Sequence, residues 1–211
     1  LPYGAGNPTG DEWRIFNIWG PLHMSFDIRD LAVFPDTSRT AEAMRAIWQR
    51  TPWGASEQLD GVLLIDPVFL QQLIAINGNV TLTNGQVLTG SNTAEFLLNT
   101  VYKDYTPVEQ DLYFQQVAVQ SIANMFKDLN LEKLTVMGKA LNEMSKQRHF
   151  SMYAFDPSIE RHLSSAGFTA RAPHDKAHPS VGVYVTEQNP SKMDWYIHRT
   201  SVITRTGCNA N

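Results

Sequence analysis

Residues 59–88, LDGVLLIDPVFLQQLIAINGNVTLTNGQVL, decide the fold of this chain. Residues 62–65 form a short apolar run that is typical of a strand buried on both faces. Asp66-Pro67 predicts a helix start, because the aspartate can accept hydrogen bonds from free amides and proline has no amide to leave unsatisfied. Asn77-Gly78 predicts the end of that helix. Asn84-Gly85, between two β-favouring runs, predicts a hairpin.

Similar start and stop signals recur along the chain and predict an α/β fold with a mixed central sheet, helices packed on both faces and a C-terminal strand pair. We expect one domain over residues 1–211, with an irregular N-terminal segment over residues 1–25. The other predicted helices span residues 39–50, 92–103, 106–127, 130–146 and 156–167, and the other strands span residues 150–155, 181–186 and 195–206.

Size and composition limit the functions that the chain can have. Its 211 residues are 43% hydrophobic, enough for one substantial core. A net charge of −4 provides no basic field for nucleic acid and no polybasic membrane patch. Cys208 is the only cysteine, which excludes an internal disulfide framework and a cysteine-based zinc site. The sequence has no run that could span a membrane and no signal peptide. Because it opens at Leu1 without methionine and stops just after a predicted strand, we interpret it as an incomplete piece of a longer protein, although a processed or recombinant fragment would show the same features.

Compact catalytic motifs are absent from the sequence. It has no glycine-rich nucleotide loop, no Gly-x-Ser-x-Gly elbow and no His-Glu-x-x-His. His174 and His178 are four residues apart and could hold a metal from one helical face, but flanking prolines and the lack of a third ligand favour a solvated loop. We therefore predict no metal site from the residues alone.

Charged residues near predicted strand ends are the candidate ligand-binding residues. Arg29 and Asp30 lie in the densest charge cluster, and Asp36 and Arg39 follow closely. An arginine fork suits a diphosphate, and aspartates could orient the arginine or hold a divalent cation. A surface salt-bridge cluster is the alternative. Asp66 follows a central strand, where open α/β sheets place ligands, although helix capping alone would explain it.

These motifs together resemble an uncharacterised bacterial family, domain of unknown function 4012. The most specific block runs from Leu59-Asp60-Gly61 to Asp66-Pro67, and the resemblance extends over about residues 26–199. The resemblance implies membrane-anchored envelope proteins of Gram-positive bacteria, with most of the chain on the cell surface. It also implies an anchor upstream of Leu1 and a downstream partner for Cys208. Further matching segments are DIRD (27–30), FPDT (34–37), GNVTL (78–82), LTGSN (88–92), FLLN (96–99), VGVY (181–184) and KMD (192–194).

The chain is more distantly similar to LytR-CpsA-Psr proteins, which attach glycopolymers to the cell wall from polyprenyl-pyrophosphate carriers. Arg29-Asp30, Asp66 and Gly78-Asn79-Val80 occur in the order of that family's motifs. The resemblance implies that Arg29 and Asp30 are catalytic, that Arg29, Arg39, Asp36 and Asp66 bind the ligand, and that magnesium is the cofactor if the chain is a transferase. The asparagine motif of that family has no counterpart here, and its first acidic and arginine residues would precede Leu1.

Two functions follow as hypotheses. In the first, the chain is a non-catalytic, extracytoplasmic envelope domain that binds or organises wall glycopolymer or lipid-carrier components. In the second, it is a phosphotransferase that moves a glycan phosphate from a polyprenyl carrier to the wall, which requires an apolar pocket beside Arg29. The expected partners are wall glycopolymer, polyprenyl-phosphate lipid and, through the missing anchor, a membrane.

Overall fold

The structure, a computed structural model, describes residues 3–185, 192–204 and 206–207. The helices are α1 (Gly10–Phe16), α2 (Thr37–Trp48), α3 (Pro67–Asn77), α4 (Thr93–Glu95), α5 (Val101–Asp104), α6 (Pro107–Met125), α7 (Leu131–Lys146) and α8 (Pro157–Ser165). All but α1 lie within or near helices predicted from the sequence. The strands are β1 (Gly61–Ile65), β2 (Val80–Thr81), β3 (Val87–Leu88) and β4 (Phe150–Ala154).

Strands β1 and β4 pair antiparallel and form the sheet on which the candidate sites depend. The register runs from Gly61 opposite Ala154 to Ile65 opposite Phe150. Because the strands run in opposite directions, their carboxyl ends lie at opposite ends of the pair. Each carboxyl end leads through an Asp-Pro step into a helix, α3 after β1 and α8 after β4.

Helices cover both faces of this strand pair. On one face Phe150 packs with Phe69 and Leu73 of α3 and Met144 of α7. On the other face Ser151 accepts a hydrogen bond from the Thr37 hydroxyl of α2 at 3.0 Å. The ring of Phe150 stacks on Phe69 with centroids 5.0 Å apart, which adds specific aromatic contact to the buried area.

A second cluster lies between α3, the β2–β3 hairpin and α6. It is organised around side chains with almost no exposed surface, including Leu88, Leu97, Val101 and Val117. The backbone between α4 and α5 is a π-helical turn, Phe96–Thr100, so the chain stays helical from Thr93 to Asp104. A third cluster, around Phe26, Leu31 and Ile47, packs the N-terminal region against α2.

The mixed α/β class is confirmed, but the details of the sheet differ from the prediction. Among the described residues the sheets are two antiparallel pairs, β1–β4 and β2–β3, and no parallel strand joins them. The prediction that β1 is buried on both faces is wrong, because none of its residues is fully buried and Leu63 is 44% exposed, although helices contact both faces of the pair. Apolar residues at consecutive positions indicated a central strand, but they also fit a pair with a helix on each face.

The predicted C-terminal strand pair is wrong for the described residues. Residues 181–185 and 197–204 form no strand, and their side chains are exposed. Alternating Val181, Val183 and Val185 give a strand pattern, but no described strand offers them a ladder of hydrogen bonds. The irregular segment predicted over residues 1–25 contains helix α1, which begins at a capping box between Thr9 and Glu12.

Some predictions lie outside the described residues. They concern Cys208 and the parts of the predicted strands that fall at residues 186 and 205. Within the part of the chain that the structure describes, no helix is long and apolar enough to cross a membrane.

Candidate functional site

Arg29 and Asp30, the predicted catalytic residues, lie on the surface and are bound by near neighbours. The Arg29 side chain is 83% exposed, and its Nε donates to Asp27 Oδ1 at 2.7 Å. This hydrogen bond lowers the pKa of the Asp27 carboxyl. The Asp30 carboxylate accepts hydrogen bonds from the backbone amide and the hydroxyl of Ser25. The transferase hypothesis requires Arg29 to point into a hollow. Its side chain lies exposed on the surface instead.

Asp36 and Arg39 form hydrogen bonds with residues outside the predicted site. Asp36 Oδ1 accepts a hydrogen bond from the Ala172 amide at 2.6 Å and fixes the chain after α8 to the start of α2. Arg39 donates two hydrogen bonds to the Glu12 carboxylate, at 2.7 and 2.9 Å, and a further one to Glu42. The Arg39 guanidinium lowers the pKa of Glu12, and this paired geometry attaches α1 to α2.

The structure therefore does not assemble the five predicted residues into one site. A magnesium ion needs several oxygen ligands in near-octahedral geometry. Among the described residues there is no group of three or more His, Cys, Asp or Glu side chains that could hold a metal ion. The donor set does not fit the magnesium that the transferase hypothesis implies.

Two of the predicted residues line a cavity: Arg39 lines one of about 270 Å³ with Glu42 and Arg45, and Asp66 lines a cleft in which it contacts an imidazole. The Oδ1 atom of Asp66 accepts from the Phe69 amide at 2.9 Å and caps α3. Its Oδ2 lies 2.6 Å from Nδ1 of His149. The strand register explains this contact, because Asp66 and His149 are the next residues beyond the Ile65–Phe150 pair.

The cleft around Asp66 and His149 has a volume of about 220 Å³. The exposed fraction of the His149 side chain is 29%, and that of Asp66 is 39%. Thr37 and Ser151, both buried, also line the cleft. The remaining lining residues are Ala32, Phe34, Pro35, Leu64, Ile65, Arg148 and Ala170.

Arg148 holds one wall of the cleft in place. Its guanidinium donates to the carbonyl oxygens of Pro35 at 2.9 Å and Arg171 at 2.7 Å. Its backbone has φ +64°, in the left-handed region that side chains other than glycine seldom adopt. This turn lies between α7 and β4, so the strained residue directs the chain into the strand and places His149 at the strand's entrance.

The geometry fixes which atoms a ligand can reach. With Nδ1 of His149 donating to Asp66, the other ring nitrogen, Nε2, makes no hydrogen bond to any other described residue. Because Thr37 donates to Ser151, the proton of the Ser151 hydroxyl stays available for another acceptor. An imidazole nitrogen and a hydroxyl beside the apolar Phe34 and Pro35 suit a small ligand that both donates and accepts hydrogen bonds.

Sequence reasoning missed His149 and Arg148. The only signal was their position immediately before a predicted strand. To place His149 beside Asp66 one needs the antiparallel pairing of β1 with β4, between residues more than 80 positions apart. His174 and His178 lie in an exposed loop, where Asp175 accepts a hydrogen bond from His178 at 2.8 Å, in agreement with the solvated-loop interpretation.

Comparison with known proteins supports the family resemblance for the first half of the chain. Residues 5–102 match the family model described as "Protein of unknown function (DUF4012)". No curated protein and no solved structure matches the chain. The matched region includes α1 to α3, the hairpin and Asp66, whereas His149 lies beyond it.

Proposed function

We propose, from the match of residues 5–102 to the model of the family of domain of unknown function 4012, that the chain is a non-catalytic, extracytoplasmic envelope domain that binds wall glycopolymer. The cleft between Asp66 and His149 is the binding site in this proposal. The observation that carries it is the 2.6 Å contact between the two side chains at the floor of an open cleft.

The contact orients the imidazole before any ligand arrives. Asp66 is itself held by the Phe69 amide, so the carboxylate, the imidazole and the free Nε2 share one fixed geometry. Groups that are already oriented lose little conformational entropy on binding, which favours recognition of a hydroxyl group at a defined position. The cleft of about 220 Å³ is smaller than a typical drug-sized pocket and fits one unit of a polymer.

The transferase hypothesis has less structural support than the binding function. It needs a diphosphate held by arginine at the mouth of an apolar pocket. The Arg29 side chain is 83% exposed and paired with Asp27. Arg148 is the cleft's arginine, and each of its two terminal nitrogens already donates to a backbone carbonyl.

Cosedimentation with purified Gram-positive cell walls tests the proposal. The chain should pellet with walls that carry their glycopolymers and should remain in solution with walls from which the glycopolymers have been removed by acid. Asp66→Asn retains the helix cap, since asparagine also accepts the amide hydrogen bond, but removes the charge that orients His149. We expect this variant and His149→Ala to bind about tenfold more weakly, as the loss of one or two good hydrogen bonds implies.

Asn130→Asp is the control, because residue 130 caps α7 through a side-chain oxygen that aspartate also provides, and it lines neither cavity of the strand pair. It should pellet like the wild-type chain. Equal pelleting with complete and stripped walls, or unchanged binding by both cleft variants, would contradict the proposal.

A further inference from the structure

The strand pair has a second cavity at its opposite end. There the ladder continues beyond Gly61 and Ala154, and the Phe155 amide donates to the Asp60 carbonyl oxygen at 2.8 Å. Asp156 follows at once and caps α8, with Oδ1 accepting from the amides of Ser158 and Ile159. The backbone of residues 58–60 is thereby fixed beside the start of α8.

This cavity has a volume of about 540 Å³, more than twice that of the Asp66–His149 cleft. The volume lies within the range of sites that hold small organic ligands, roughly 300–1,000 Å³. Helix α2, the segment before β1 and the start of α8 all contribute to it. The lining residues are Arg45, Gln49, Gln58, Leu59, Asp60, Phe155, Asp156 and Ile159.

Three polar side chains in the cavity have no partner in the described protein. The amides of Gln49 and Gln58 and the carboxylate of Asp60 make no hydrogen bond to any other described residue. Amides donate and accept, and a carboxylate accepts only. Beside the half-buried Leu59 and Phe155, these groups offer what a ligand with several hydroxyl groups requires: mixed donors and acceptors next to an apolar surface.

The charge of the cavity selects against anions. Asp60 and Asp156 contribute two carboxylates, and the single cation, Arg45, lies over the ring of Phe155 at 3.9 Å from its centroid. We propose that this cavity is a second binding site, separate from the Asp66–His149 cleft, for a hydroxyl-rich ligand without anionic groups, such as a neutral sugar.

Amide chemical shifts during titration of the whole chain test this proposal, with glucose and glucose 1-phosphate as probes. Glucose should shift the amides of residues 58–60 and 155–159 in a saturable way, and glucose 1-phosphate should bind there about fivefold more weakly, because its charge meets two carboxylates. Gln58→Ala should weaken glucose binding about fivefold through loss of hydrogen bonds. Asp60→Asn should bring the affinities for the two probes together, since it keeps an acceptor but removes the charge.

The control is Asp111→Asn, which makes the same change at an exposed carboxylate of α6 that lines neither cavity, and it should leave both affinities unchanged. The proposal is overturned if glucose shifts no amide in these segments, if magnesium chloride alone gives the same shifts, or if Asp60→Asn leaves the ratio of the two affinities unchanged. None of these results depends on binding to cell walls, so this inference and the proposed function can fail separately.

Discussion

The two ends of the β1–β4 pair carry the same Asp-Pro step in different surroundings. At one end both oxygens of Asp66 are occupied, by the Phe69 amide and by His149, beside a cleft of about 220 Å³. At the other end a single oxygen of Asp156 accepts from two amides, beside a cavity of about 540 Å³.

The residue across the ladder makes the difference. His149 binds Asp66 and orders the cleft, whereas the ladder at the other end pairs the apolar Phe155 with Asp60, and no described side chain binds the second oxygen of Asp156. An Asp-Pro step after a strand thus predicts a helix cap reliably, but its chemistry depends on the partner strand. The Asp66–His149 cleft is a small, preorganised site. The cavity beside Asp156 is wider, and several of its polar side chains have no hydrogen-bond partner among the described residues.

The largest expected effect comes from the aromatic cluster beside the Asp66 end. Phe150 is 4% exposed, stacks on Phe69 and meets Phe168 edge to face. Phe150→Ala should lower the free energy of unfolding by about 3–5 kcal/mol, measured by urea denaturation, because it leaves a cavity that the core can fill only in part. Leu63→Ala, at a 44% exposed position of β1, should cost only about 1 kcal/mol. Equal losses would show that the packing is not concentrated at this end.

The two capping aspartates should differ in their contribution to stability. Asp66→Ala removes a cap and the bond to His149, and should cost about 2 kcal/mol at pH 7. Asp156→Ala removes a cap only and should cost about 1 kcal/mol. Urea denaturation of both variants, together with His149→Ala and the Asp66→Ala/His149→Ala double variant, separates the two terms. Additive losses in the double variant would mean that the Asp66–His149 contact contributes no coupling energy.

The contribution of the Glu12–Arg39 ion pair to the stability of the fold should depend on pH. Because Arg39 lowers the pKa of Glu12 in the folded chain, the pair stabilises the fold above the ordinary glutamate pKa of about 4.3 and loses this effect as pH falls through the lower folded value. Glu12→Gln should cost up to about 1 kcal/mol at pH 7 and close to nothing in strong acid. Thermal denaturation across this pH range measures the difference. A cost that persists unchanged in acid would assign Glu12 a role independent of its charge.

Substitution of Arg29 should have the smallest effect on stability and on wall binding. Its exposed side chain contacts Asp27 and lines neither of the two sites. Arg29→Ala should change the melting temperature little and leave wall binding unchanged, because the guanidinium is exposed and Asp27, whose side chain is 10% exposed, keeps the hydrogen bond from the backbone amide of residue 29. Loss of wall binding in this variant would identify Arg29 as a ligand-binding residue and would favour the transferase hypothesis.

Local signals in the sequence predicted most of the helices and the hairpin. Asp66-Pro67, Asn84-Gly85 and the capping box at Thr106 and Glu109 each act within a few residues, so one sequence contains all the information that they need. Strand pairing is not local. The partner of β1 and the absence of strand over residues 181–185 depend on which segments meet in space.

The candidate site was predictable only in part for the same reason. Asp66 was identified from its position after a strand, and the structure places it in a cleft. Arg29, Asp30, Asp36 and Arg39 were grouped by closeness in sequence, but each side chain is bound to a different partner. His149 carries no motif, and only the register of β1 against β4 brings it to Asp66.

The imidazole of His149 provides the most direct test of the account. Long-range nitrogen–proton NMR spectra of the chain, free and with soluble wall glycopolymer fragments, report which ring nitrogen carries the proton and whether a ligand reaches the other. The account predicts an Nδ1-protonated ring in the free chain and a saturable shift of Nε2 when the fragments are added. An Nε2-protonated ring, or binding of the fragments with the His149 signals unchanged, would contradict it.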